Sequence, residues 1–65
     1  MNVKDVQEWV DRIRASSGDD ESAHGMEDAL WLYVLRAIAD GADSPRDLAR
    51  VAASTSEIEF SRWRA

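Results

Sequence analysis

The chain has 65 residues, a net charge of −5, no cysteine, and three tryptophans beside one tyrosine and one phenylalanine. That length admits a single domain, and a chain this short buries only about 60% of the surface its unfolded form exposes. Without cysteine there is no disulfide or thiolate metal site to brace the fold. The aromatics, each able to bury roughly 150–250 Å², must supply much of the core, and pairing with a copy or a partner is a common source of extra stability at this size.

Lack of cysteine fits a reducing compartment. The first residues, Met1-Asn2-Val3-Lys4-Asp5, are polar and lack the apolar stretch of a secretion signal. The longest apolar run falls well short of the roughly 20 residues that span a bilayer. These features together predict a soluble cytoplasmic protein with no membrane partner. The negative charge is localised: Asp19, Asp20, Glu21, Glu27 and Asp28 fall in one ten-residue stretch without Lys or Arg. Thirteen acids less these five leaves eight, which balance the eight bases. Acids favour a helix N-terminus through the dipole, and the same cluster is a candidate docking face for a basic partner.

The first helix is predicted over 3–15. Val3, Val6, Trp9, Val10 and Ile13 make one apolar stripe, Asn2 is the cap with Asp5 in the first turn, and Glu8 and Arg12 pair in the favourable order. Ser16-Ser17-Gly18 ends it, with Gly18 expected in the left-handed region.

The second helix is predicted over about 23–40, since Gly25 costs roughly 1 kcal/mol relative to Ala and points to a late start. Gly41 is its C-terminal cap. Between Ala29 and Ala39 it carries one charge, Arg36. A helix apolar on nearly all sides calls for wrapping by other elements or for a place in a subunit interface. Met26, Leu30, Tyr33, Val34, Ala37 and Ile38 form one stripe, and Trp31 and Leu35 lie on another side.

The third helix, 45–53, starts at Ser44-Pro45-Arg46-Asp47: a capping serine, proline at the first helical position and an acid two residues on. Leu48, Val51 and Ala52 are its apolar face, and Ser54-Thr55-Ser56 reads as a loop. The tail, 57–65, is expected to dock through Phe60 and Trp63, either extended or with a short fourth helical turn near Ser56–Glu59. The fold class is therefore all-α: three helices with a docked C-terminal tail.

Chemistry is sparse. The one histidine, His24, stands three residues after Glu21 and three before Glu27, which is ligand spacing for carboxylate-bridged metals. Such a site needs a second motif from another helix, so no metal or other cofactor is implied. The serines sit in caps and loops with no poised base, and the glycines form no phosphate loop. Paired carboxylates at Asp19-Asp20 lack a cavity to raise a pKa. The chain does not read as an enzyme.

The stretch from Val34-Leu35-Arg36-Ala37-Ile38-Ala39-Asp40-Gly41 through Ser44-Pro45 to Leu48-Ala49-Arg50-Val51-Ala52 resembles the first two helices of winged helix-turn-helix DNA-binding domains. The resemblance implies that Ser54 to Trp63 is a recognition helix and that Arg46, Arg50, Arg62 and Arg64 contact nucleic acid. Glu57 and Glu59 depart from that pattern, because DNA affinity rests on phosphate neutralisation by Lys and Arg. A second stretch, His24-x-x-Glu27-Asp28-Ala29-Leu30 to Gly41 with Phe60-x-x-Trp63, resembles small helical proteins of actinobacteria and their phages, which implies a host- or phage-encoded regulatory partner and no activity.

Trp9, Trp31 and Trp63 come from three elements and are expected to meet in one core, unless one is an exposed anchor of the kind enriched at interfaces. Trp31 is the candidate anchor. The leading expectation is non-catalytic protein–protein interaction. Trp31 and Leu35 would supply apolar contact, and Asp19, Asp20, Glu21, Glu27 and Asp28 would steer a basic protein partner. A homodimer is a further way to cover the Trp31 and Leu35 face, and a reduced helix-turn-helix DNA binder is the alternative.

Overall fold

The computed structural model describes residues 1–62, and these fold as three packed α-helices followed by a short 3₁₀ turn and an extended strap. Helix α1 is Val3–Ala15, α2 is Asp20–Ala39 and α3 is Pro45–Ala53, while the 3₁₀ turn is Ser54–Glu57. Among the described residues there is no strand. Each helix packs on the other two.

Helix α1 forms as its sequence dictates. The Asn2 side chain accepts from the Asp5 amide, and the Asp5 carboxylate accepts in return from the Asn2 amide, both at 2.9 Å. This reciprocal cap satisfies two of the donors a helix start leaves open. Val6, Val10 and Ile13 are buried along one stripe, while Val3 stays 36% exposed. The helix closes at Ser16 without a left-handed residue; Gly18 does not have positive φ, contrary to the expectation for it.

Helix α2 starts earlier than Gly25 suggested. Asp19 caps it by accepting from the Ser22 amide at 3.2 Å, and Asp20 and Glu21 occupy the first turn, where the dipole favours them. These contributions carry the helix through Gly25. Its end is a Schellman motif: the Gly41 amide donates to Ile38 O and the Ala42 amide to Ala37 O. Gly41 has φ +87°, which a side chain would strain.

Helix α3 has the predicted bounds but not the predicted cap. Ser44 makes no side-chain cap bond and sits in the left-handed region at φ 55°, ψ 48°. The start relies on Pro45, whose missing N–H removes one orphan donor. The helix stops at the serine–threonine cluster because those hydroxyls take its last carbonyls. Ser54 Oγ donates to Val51 O at 2.6 Å and Thr55 Oγ1 to Ala52 O at 3.1 Å. Residues 54–57 form a single 3₁₀ turn and 58–62 are not helical. The expected recognition helix is therefore absent from the described residues, and Trp63 lies outside them.

The core joins Val6, Val10 and Ile13 of α1, Ala23, Leu30 and Val34 of α2, Leu48 and Ala52 of α3, and Ile58 of the strap. Full burial of each large aliphatic among these contributes about 1.5–3 kcal/mol. Trp9 and Trp31 do not meet in it. Trp9 is partly buried and meets the Tyr33 ring edge-on, centroids 5.6 Å apart. Trp31 is on another side of α2, and α2 is not wrapped: Trp31, Leu32, Tyr33 and Leu35 remain 39%, 46%, 45% and 65% exposed.

Candidate docking groove

Between helices α2 and α3 lies an open apolar groove of about 310 Å³. Its α2 side is Trp31, Val34, Leu35 and Ile38, which recur at the i, i+3, i+4, i+7 spacing of one helix face. Its α3 side is built of small residues, Ala49, Ala52 and Ala53, with Ser56 at the end. Three alanines where α3 faces α2 keep the groove open; larger side chains would fill it.

Trp31 is held in place by its polar edge. The indole N–H donates to Ala52 O and to Thr55 Oγ1, each at 3.1 Å, so the N–H is satisfied while the ring face stays at the groove. A tryptophan anchored in this way loses little side-chain freedom when a ligand covers it. Leu35 is the most exposed of the large apolar residues among those described.

Thr55 connects this wall to a second feature that the sequence reading missed. Glu27 is 1% exposed. The carboxylate accepts from Arg62 Nε at 2.8 Å and Nη2 at 3.0 Å, a two-point ion pair. Arg62 Nη2 also donates to Thr55 O at 2.8 Å and Ile58 O at 3.1 Å, and the guanidinium lies 3.8 Å over the Phe60 ring. The Ser61 amide donates to Asp20 Oδ1 at 3.1 Å. The strap is thus latched across α2 at both Asp20 and Glu27. Burial pushes the Glu27 carboxyl up, but the hydrogen bonds and charge of Arg62, with the charge of His24, bring it below the ordinary carboxylate value. The Glu27 hydrogen bond likewise raises Arg62.

The five acids expected to steer a partner therefore divide. Glu27 is a correction: it is buried and paired, and it presents no charge to a partner. A position in phase with Ala23, Leu30 and Val34 was the available signal, since that phase is the core face of α2. Asp19, Asp20, Glu21 and Asp28 are exposed. Asp19 also caps α2, Asp20 also holds Ser61, and Asp28 also meets His24 at 3.6 Å. Glu21 and Asp28 stand fourteen and seven residues before Leu35 and share its side of α2.

The arginines of the DNA-binding alternative do not share one free surface. Arg62 is turned inward onto Glu27, and Arg50 lies 3.7 Å from Asp47 on α3. Arg46 is exposed, and Arg64 lies outside the described residues. Among the described residues no group of three or more His, Cys, Asp or Glu is placed to hold a metal ion, and no helix is long and apolar enough to cross a membrane. No protein-family model matches the chain, and no curated protein or solved structure matches it.

Proposed function

We propose that the protein is a non-catalytic docking module whose α2–α3 groove receives an apolar segment of a partner protein, with basic residues flanking the segment's apolar anchors. The observation that carries this reading is the groove itself: Trp31 and Leu35 stay exposed beside an alanine-lined floor in a chain that has few apolar residues to spare. An apolar concavity of about this volume with few convergent polar groups is the usual form of a binding site. The charge of the partner follows from Asp28 and Glu21, which continue the Leu35 side of α2 beyond the groove, and from a net charge of −5. Apolar burial supplies affinity in such an arrangement, while the acids accelerate encounter and reject acidic competitors.

The test uses two synthetic amphipathic helical peptides with the same leucine anchors, one flanked by lysines and one by glutamates. Titration followed by tryptophan fluorescence and calorimetry should show binding of the lysine-flanked peptide alone. Leu35→Asp should abolish that binding while the helical circular dichroism persists. Binding of both peptides alike, or binding indifferent to Leu35→Asp, would overturn the proposal. Leu35 is a better probe than Trp31, because removing the indole also leaves Ala52 O and Thr55 Oγ1 without their donor.

A further inference from the structure

A second face of α2, turned about 100° from Trp31 around the helix, carries a pattern centred on Leu32 that shares only Asp28 with the proposed docking surface. Leu32 is 46% exposed at its centre. Asp28 and Arg36 stand four residues before and after Leu32, and Gly25 and Ala39 stand seven before and after. All of these residues are exposed. Among the described residues no ion pair engages Arg36.

Gly25 has no internal reason to be glycine. A Cβ built on it meets nothing within 4 Å, and its φ is not positive. Glycine is the poorest helix-interior residue after proline, so the position lowers helix stability with no return inside this chain. A glycine on an exposed helix face is explained when another backbone approaches closely there.

We propose that α2 pairs antiparallel with α2 of a second copy across a two-fold axis at Leu32. A two-fold contact sets residue i of one copy against residue j of the other and j against i. With the axis at Leu32, Leu32 meets its counterpart in the second copy. Asp28 of each copy lies level with Arg36 of the other, and Gly25 lies level with Ala39. The small pairs at both ends let the helices close to within the usual 8–10 Å, and two ion pairs flank the apolar centre. The sequence is thus self-complementary when reversed, which a partner of unrelated sequence would not require. The stripe from Gly25 to Ala39 is about 21 Å long. A contact of that length falls at the small end of specific interfaces, so the association is expected to be weak and reversible.

Sedimentation velocity from about 10 µM to about 1 mM reads this directly. The expected result is a monomer–dimer equilibrium. Asp28→Arg and Arg36→Asp, both at exposed sites, should each weaken it about tenfold or more, because each puts like charges across both symmetric pairs. The double variant D28R/R36D should recover the original affinity. Mixing the two single variants should give a heterodimer tighter than either homodimer. Gly25→Leu should weaken the dimer while raising the melting temperature of the dilute monomer, a pair of opposite signs that a purely structural role would not give. A chain that stays monomeric to about 1 mM would overturn the proposal. So would a dimer indifferent to both charge reversals, which would place the contact on the α2–α3 groove or another face.

Discussion

Arg62→Ala isolates the latch. In the intact protein the Glu27 carboxylate is almost fully buried, and Arg62 supplies both of its short charge-assisted hydrogen bonds. Removing one member of a fully buried pair costs about 3–5 kcal/mol, because the other charge is left unpaired. Arg62 itself is 32% exposed, so part of that interaction is already screened by solvent, and the cost here is about 2–3 kcal/mol. A chain of this length has only roughly 3–10 kcal/mol of total stability. The loss therefore lowers Tm by roughly 10–20 °C, since each kcal/mol moves a domain of this size by about 4–8 °C.

The assay is thermal and urea unfolding followed by circular dichroism. The control is Glu27→Leu combined with Arg62→Ala. Removing both leaves no orphaned charge, and Thr55 O keeps the Ile58 amide while Ile58 O loses its Arg62 donor, so the double variant should recover to within about 1–2 kcal/mol of the parent. A melting temperature for Arg62→Ala within about 2 °C of the parent would refute the reasoning, because the pair would then add nothing to folding. A double variant no better than Arg62→Ala alone would locate the loss in the strap's packing rather than in the Glu27 charge.

The remaining expectations concern pH and two backbone positions. Glu27 has a folded pKa below its ordinary value of 4.5, so its contribution to stability is full above that value and is lost as the pH falls through the lower folded pKa. In Arg62→Ala burial acts without its main counterweight and the sign reverses: the variant gains stability as the pH falls toward 4.5 while the parent loses it below 4.5, so the penalty should start to shrink above pH 4.5 and go on shrinking below it in melts across about pH 3–7. Ser44→Gly should stabilise the chain by about 0.5–1 kcal/mol in urea melts. It relieves a left-handed backbone and sacrifices no cap bond, offset in part by the freedom glycine gives the unfolded chain. Gly25→Ala should add about 1 kcal/mol in melts at dilute, monomeric concentration, since its Cβ meets nothing.

The helices were legible because their signals are local. The Asn2–Asp5 cap, the Val6-Val10-Ile13 stripe, Pro45 and Gly41 act within a turn or two of where they stand, and their elements fell where the sequence placed them. The start of α2 lies ahead of the point that Gly25 suggests, because the Asp19 cap and two acids in the first turn outweigh one glycine. Ser44 has the residue type of a cap, but capping depends on backbone geometry, and the turn after Gly41 sets Ser44 in the left-handed region. The latch was the deeper miss. Along the chain Glu27 is one of several neighbouring acids, yet helical phase separates it from Glu21 and Asp28 and places it, with Asp20 seven residues before, on the side that the core and the strap cover. Nothing local to Arg62 announces a partner thirty-five residues away.

The exposed apolar face of α2 can be separated from the core by one substitution. A large apolar residue that is 65% exposed already leaves most of its surface in water, so making Leu35 polar should change stability by no more than about 0.5 kcal/mol. A core leucine such as Leu48, fully buried, would cost about 2–5 kcal/mol on truncation to alanine. Leu35→Gln is therefore expected to melt within about 4 °C of the parent while its affinity for an apolar ligand falls. That combination is the signature of surface kept apolar for binding. If Leu35→Gln instead unfolds the chain, the groove is closed in solution by packing of α2 on α3, and the exposure of Leu35 has no bearing on a partner. The alanines decide which outcome to expect: Ala49, Ala52 and Ala53 line the groove beside Leu35 with small side chains, so Leu35→Gln removes little packing within the described residues and the first outcome is expected.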